Sequence, residues 1–214
     1  MPLIKYPLKK VIAYETGKKH IVIHGSFSRT KHTPFQGDGR DTQIIDSWNA
    51  HGSKYGCPYL ISRDGSIYQT YDPLHWTYHL DLAGNKSGHY DKQSIGLCLA
   101  NELYLTKNGS RYYAFGIDKS YNYYEGEVYE RKFRGYDYWA KLDNAQINSL
   151  VDLAMDTANE FNIEPTYCRS QEFNPKIWDT ATIFAHSVVN NKVFDIPLSE
   201  QVTAQFEQKG AKIV

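Results

Sequence analysis

Neither sign of charge predominates in this 214-residue chain, where 24 Lys and Arg balance 24 Asp and Glu. A nucleic-acid binder needs a basic surface to displace counterions from phosphates. The short "LKK" and "GKK" clusters near the start read as solvated edges, so nucleic acid is not an expected partner. Cysteine is scarce. Cys57, Cys98 and Cys168 are odd in number and widely spaced, with no C-x-x-C pair. That excludes a disulfide framework and a structural zinc knuckle, fits a reducing compartment, and leaves small buried hydrophobes as the plainest role. Long apolar runs are missing too. "MPLIKYPLKKVIAYETG" holds no signal-peptide core and no stretch approaches a membrane span, so a cytoplasmic chain without membrane insertion is expected. Internal repeats and low-complexity linkers are absent as well.

What the sequence has in plenty is tyrosine, 18 residues in a chain otherwise of ordinary composition, 41% hydrophobic and 22% charged. Tyrosine offers a flat apolar face and a polar tip, which suits stacking on sugars or peptides and equally suits covering a core. By itself it selects no function. The length fits one domain spanning residues 1–214.

"KKHIVIHGSFS" reads as a buried strand with His24 at its C-terminal lip. "DTQIIDSWNAHG" reads as a helix capped by Asp41 and closed by Gly52, and "PYLISRDGSIYQTYD" as a hairpin turning at Asp64-Gly65. "QSIGLCLANE" lacks polar alternation and is expected at the centre of a sheet. Residues 104–140, rich in Tyr, Gly and charge, read as a surface excursion, a hairpin with irregular ends. "LDNAQINSLVDLAMDTANEFNI" is the clearest helix, capped by Asp143, with Ile147, Leu150, Val151, Ala154, Ala158 and Phe161 on one stripe. "ATIFAHS" is a last strand and "LSEQVTAQFEQKG" a closing helix capped by Ser199. The order predicts an α/β domain, a central mixed sheet flanked by helices.

A hydrolytic zinc site needs three protein ligands and one open position. His24 and His186 each stand just past a short apolar strand and before a small residue. On adjacent strands they would come about 5 Å apart. Asp195, nine residues beyond His186, is far enough for a loop to return its carboxylate. The plainer alternative is that these are ordinary strand-end histidines. His20, His32, His51 and His89 sit in polar contexts and read as solvated, whereas His75 and His79 in "DPLHWTYHLD" have aromatic neighbours.

"IVIHGS", "YLISRDGSIYQTYDP", "YHLD", "SIGLCLANE", the tyrosine-rich segment, the amphipathic helix and finally "AHS" followed by Lys192 and Asp195 come in an order that resembles the type-2 N-acetylmuramoyl-L-alanine amidases. That family includes phage endolysins, muropeptide-recycling amidases and peptidoglycan-recognition proteins, and the resemblance covers about residues 19–200. It implies the fold above and Zn2+ held by His24, His186 and Asp195. It also implies hydrolysis of the amide between N-acetylmuramic acid and L-alanine, with His79 lining the cleft. Where relatives carry a Glu after "SIG" and a Tyr before "RDG", this chain has Cys98 and Cys57. Tyr55, Tyr59 or Glu102 are the candidate substitutes as proton acceptor. Lys192, one step from the family's lysine position, is the candidate for steadying the oxyanion. The expected partner is peptidoglycan, its glycan and stem peptide, met by a monomer that is held in the host cytoplasm until lysis. A non-catalytic recognition module and a cytosolic recycling amidase are the alternatives.

Overall fold

The structure is a computed structural model, and it describes residues 3–27, 32, 41–50, 54–82, 88–193 and 195–214. In chain order the elements begin with β1 (Leu3–Lys5), β2 (His20–Phe27), α1 (Gln43–Ala50), β3 (Tyr59–Ile61), β4 (Ile67–Gln69), α2 (His89–Gln93) and β5 (Ser94–Asn101). A second group follows: β6 (Tyr104–Asn108), β7 (Arg111–Ala114), β8 (Tyr123–Tyr124), β9 (Val128–Phe133) and β10 (Tyr136–Ala140). The chain then gives α3 (Asn144–Glu160), β11 (Thr166–Tyr167), β12 (Ile183–Ala185), α4 (Glu200–Gln208) and β13 (Lys212–Ile213).

The main sheet runs β1-β4-β3-β5-β2-β12-β11-β13. Only the β3–β4 hairpin is antiparallel, so the sheet is mixed, as expected from the sequence. β5 lies at the centre with all eight residues buried, because helices cover both faces and no position can be polar without a partner. On one face the α3 stripe of Ile147, Leu150, Val151, Ala154 and Ala158 packs on Ile21, Ile23, Leu97 and Leu99. Each large aliphatic side chain so buried contributes about 2 kcal/mol. On the other face Ile45 of α1 meets Leu60, Cys57, Cys98 and Ala100. All three cysteines are buried and free, in keeping with the apolar role expected of them. Among the described residues no helix is long and apolar enough to cross a membrane.

Several details differ from expectation. Residues 104–140 form not a hairpin but a five-stranded antiparallel sheet, β8-β7-β6-β10-β9. Its tyrosines pair with one another, Tyr104 stacking on Tyr136 at 3.9 Å, while Trp139 is fully buried in the main core. His20 is buried rather than solvated, edge-on to Trp178 at 4.9 Å. β12 is not the last strand, since β13 follows α4 and pairs with β11. Of the expected caps, Asp143 and Ser199 stand at the N-cap positions of α3 and α4 without a side-chain hydrogen bond to the helix N–H groups, and Asp41 instead accepts from the Arg63 backbone N–H. Gly52 lies outside the described residues.

Candidate metal centre

Parallel pairing places the site. Ala185, the last residue of β12, pairs with Ile23 of β2, so His186 comes level with His24 across neighbouring strands. Their rings lie 4.4 Å apart between centroids. Gly25 lets the distal loop in: a Cβ there would stand 2.6 Å from Leu103 Cδ2 and 3.0 Å from the Ile196 nitrogen. Through that gap Asp195 reaches β2, where its Oδ1 accepts from the Gly25 N–H at 3.1 Å. His24, His186 and Asp195 each offer a ligand atom within 4.8 Å of the others, and all three are buried. The structure therefore brings together the three residues predicted as ligands.

Hydrogen bonds constrain which nitrogen of each ring carries a proton. His186 Nε2 donates to the Leu80 carbonyl at 2.6 Å, which a carbonyl permits only if Nε2 carries the proton. Nδ1 faces Asp195 Oδ2, 3.2 Å away, with both side chains buried. Two acceptors at that distance repel unless a proton or a cation lies between them. Burial works against a proton on His186, but the Asp195 carboxylate outweighs it and raises the imidazole above its ordinary range. Burial would likewise raise Asp195, and the His186 charge overcomes it, leaving the carboxyl lowered.

His24 is set by a relay. The Ser94 hydroxyl donates to the Tyr90 carbonyl at 2.8 Å, so its oxygen accepts from His79 Nε2 at 3.0 Å. His79 is neutral, lowered to about 3 chiefly by burial and then by His186. Its Nδ1 must therefore accept, and it does so from His24 Nε2 at 3.0 Å. His24, held well below the usual imidazole range by burial and by the neighbouring His186, is left with its lone pair on Nδ1. Ser94 and His79 thus act as the outer partners that fix a ligand's tautomer.

A cleft of about 260 Å3 opens over this relay, lined by residues that include His24, Cys57, Cys98, His79, Tyr55, Tyr78 and Asp81. Cys98 pairs with His24 in register and so shares its face of the sheet. Burial first, then the neighbouring Cys98, pushes the Cys57 thiol up.

The other predicted residues lie elsewhere. Tyr59 pairs with Leu97, one position from Cys98, and so points to the opposite face, into the core under α3. Glu102 is fully buried in an ion pair with Arg63 at 2.5 Å. Lys192 is exposed, its backbone N–H bonded to Asn190 Oδ1 at 3.0 Å. Of the tyrosines considered as substitutes, Tyr55 lines the cleft. Asp81 was missed by sequence reasoning. It ends the "YHLD" motif in a left-handed conformation (φ 46°), and its carbonyl is held by Asn190 Nδ2 at 3.0 Å.

A buried His-His-Asp cluster that could hold a metal ion, beside an open cleft on a mixed α/β sheet, is an arrangement suited to hydrolysis. The sequence model of the N-acetylmuramoyl-L-alanine amidases matches residues 15–195, and the chain belongs to that family of enzymes. Among solved structures the fold is similar to the N-acetylmuramoyl-L-alanine amidase LysC from Clostridium intestinale URNW, at 14% identity and a TM-score of 0.52, covering 97% of this chain and 98% of that one. It is also similar to a mutant endolysin from Bacillus subtilis, at 12% identity and a TM-score of 0.51, covering 97% and 95%. At such identities the likeness speaks for the fold. No curated protein matches the sequence.

Proposed function

We propose that the chain is a zinc-dependent amidase that cuts peptidoglycan between the lactyl carbonyl of N-acetylmuramic acid and the amino group of L-alanine, serving a phage as an endolysin. The observation that carries the metal is the buried convergence of His24, His186 and Asp195, with Asp195 Oδ2 and His186 Nδ1 3.2 Å apart and in need of a proton or a cation between them. The relay through His79 turns the His24 lone pair to Nδ1. Two imidazoles and a carboxylate form a donor set that zinc takes in catalytic sites, with a position left open. When bound, zinc supplies Lewis acidity, polarising the scissile carbonyl and lowering the pKa of water toward ~7. The endolysin role is supported by the likeness to structures described as endolysins. It entails synthesis in the host cytoplasm and action, as a monomer, on the wall at lysis.

The chain's own groups supply the rest. Tyr55 and Tyr78 line the cleft with apolar faces and polar tips, suited to a sugar ring and a peptide. Asp81 is the carboxylate among the described cleft-lining residues and takes the role of proton acceptor, which it later reverses toward the departing amine. Converting Asp81 to Asn should lower kcat about 100-fold, in the range general-base losses span, with zinc content unchanged. An undiminished kcat would remove it from the chemistry.

Digestion of purified sacculi followed by mass spectrometry tests the whole reading. Stem peptides with free L-alanine amino ends are expected, and their release should stop with a chelator and resume with added zinc. New sugar reducing ends, or activity indifferent to chelation, would overturn it.

A further inference from the structure

His24 also faces a second set of donors. Its Nε2 lies 3.0 Å from His79 Nδ1, and with the Cys57 thiol these residues form a cluster whose ligand atoms are all within 4.8 Å of one another. Around a tetrahedral ion with bonds of ~2.0–2.3 Å, ligand atoms stand roughly 3.3–3.8 Å apart, so the cluster is near the size that an ion requires. Gly96 makes room for it. A Cβ at that position would lie 2.7 Å from Cys57 Sγ and 3.1 Å from His79 Nδ1, so sulfur and nitrogen share the bare surface of this glycine. Cys98, paired with His24 in register and packed in one cluster with Cys57, puts a second sulfur beside these ligands. The cleft gives an entry path, because His24, Cys57, His79 and Cys98 all line it. His186 and Asp195 are not among its lining residues.

We propose that His24, Cys57 and His79 form a second metal seat, selective for thiophilic divalent ions, which competes for His24 with the seat made by His186 and Asp195. Soft thiolate ligands select soft metals, whereas the Asp195 seat offers only nitrogen and oxygen. The competition follows from the tautomer. A neutral imidazole has one lone pair. An ion held by His24 Nε2 takes the place of the proton now shared with His79 Nδ1. That proton moves to His24 Nδ1, the Cys57 thiol releases its own proton to solvent, and the Nδ1 lone pair is lost to the Asp195 seat. The chain therefore holds one ion, in one seat or the other. The seat itself requires no hydrolytic activity. Its consequence, that a soft ion silences the enzyme, rests on the reading above.

Titration of the metal-free chain with Cd2+ tests this, because only a sulfur ligand gives the near-ultraviolet sulfur-to-cadmium absorption. The band is expected to saturate at one ion per chain. It should persist in Asp195→Asn and His186→Ala, which disable the sulfur-free seat, and in Cys168→Ser. In Cys57→Ser it should vanish, with cadmium affinity at least tenfold lower. His79→Gln should weaken affinity likewise, which keeps a reading available if Cys57→Ser fails to fold. No band in the parent chain at saturating Cd2+, or a band that survives Cys57→Ser, overturns the seat. Two cadmium ions bound together overturn the competition. Failure of the zinc-loaded chain to cut peptidoglycan would sink the amidase reading and leave this band untouched.

Discussion

Replacing His24 with alanine should leave a folded chain that retains no zinc and cuts no amide. Changes to groups that merely orient a metal ligand already cost 10–100-fold in affinity or activity. Loss of the ligand itself should exceed about 100-fold in both. His24 is the sensitive choice because both clusters around the cleft include it. His186→Ala should lose hydrolysis to a similar extent, but it leaves His24, Cys57 and His79 in place and so should still take up a soft ion. Metal content after dialysis, turnover on a labelled muropeptide and far-ultraviolet circular dichroism separate these cases. A His24→Ala chain that keeps one zinc and the parent rate would remove the centre altogether.

Much of this centre was legible in the sequence, for a physical reason. A strand buried on both faces must read as a continuous apolar run, so "HIVIHG" and "TIFAHS" announce themselves, and the first polar residue past such a run stands at the sheet's rim. What the runs do not announce is their order. That β12 lies beside β2 rather than at an edge depends on pairing between segments some 160 residues apart, and only the resemblance to a family supplied it.

Parity was the harder matter. Successive residues of a strand face opposite ways, so one step of register moves a side chain from cleft to core. Tyr59 looked available for chemistry, yet it is Leu60 that pairs with Cys98 and shares the cleft face. The tyrosine-rich sheet escaped for a related reason. Tyrosine serves on a buried or a wetted face, so the period-two alternation that marks a strand is blurred when both faces carry it. Its Arg134 was equally silent in sequence, although the guanidinium donates to the carbonyls of Ser187 (2.5 Å) and Asn191 (2.6 Å) and so braces the loop that follows His186. Asp81 could have been found: it closes a quoted motif, but its left-handed backbone, tolerated by Asp, gives no period to read.

Glu102→Ala should destabilise the fold by about 3–5 kcal/mol, the range for breaking a buried ion pair from one side. In a chain of this size that is roughly 6–20 °C of melting temperature. The carboxylate is fully buried against Arg63, itself only 1% exposed, and removing it strands a guanidinium in the core. Arg63 is a junction: its backbone N–H binds Asp41 Oδ2, a terminal nitrogen donates to the Lys141 carbonyl, and Asp143 at the start of α3 lies 3.9 Å away. The pair therefore ties the β3–β4 hairpin to the end of β5 and to the approach to α3. The double change Arg63→Met with Glu102→Leu should recover most of the loss, since it leaves neither charge unpaired. Zinc content should be unaltered in both, because Glu102 serves the frame and not the cleft. If Glu102→Ala melted like the parent chain but turned over substrate far more slowly, the carboxylate would belong to the chemistry after all, and the assignment of proton acceptor to Asp81 would have to yield to it.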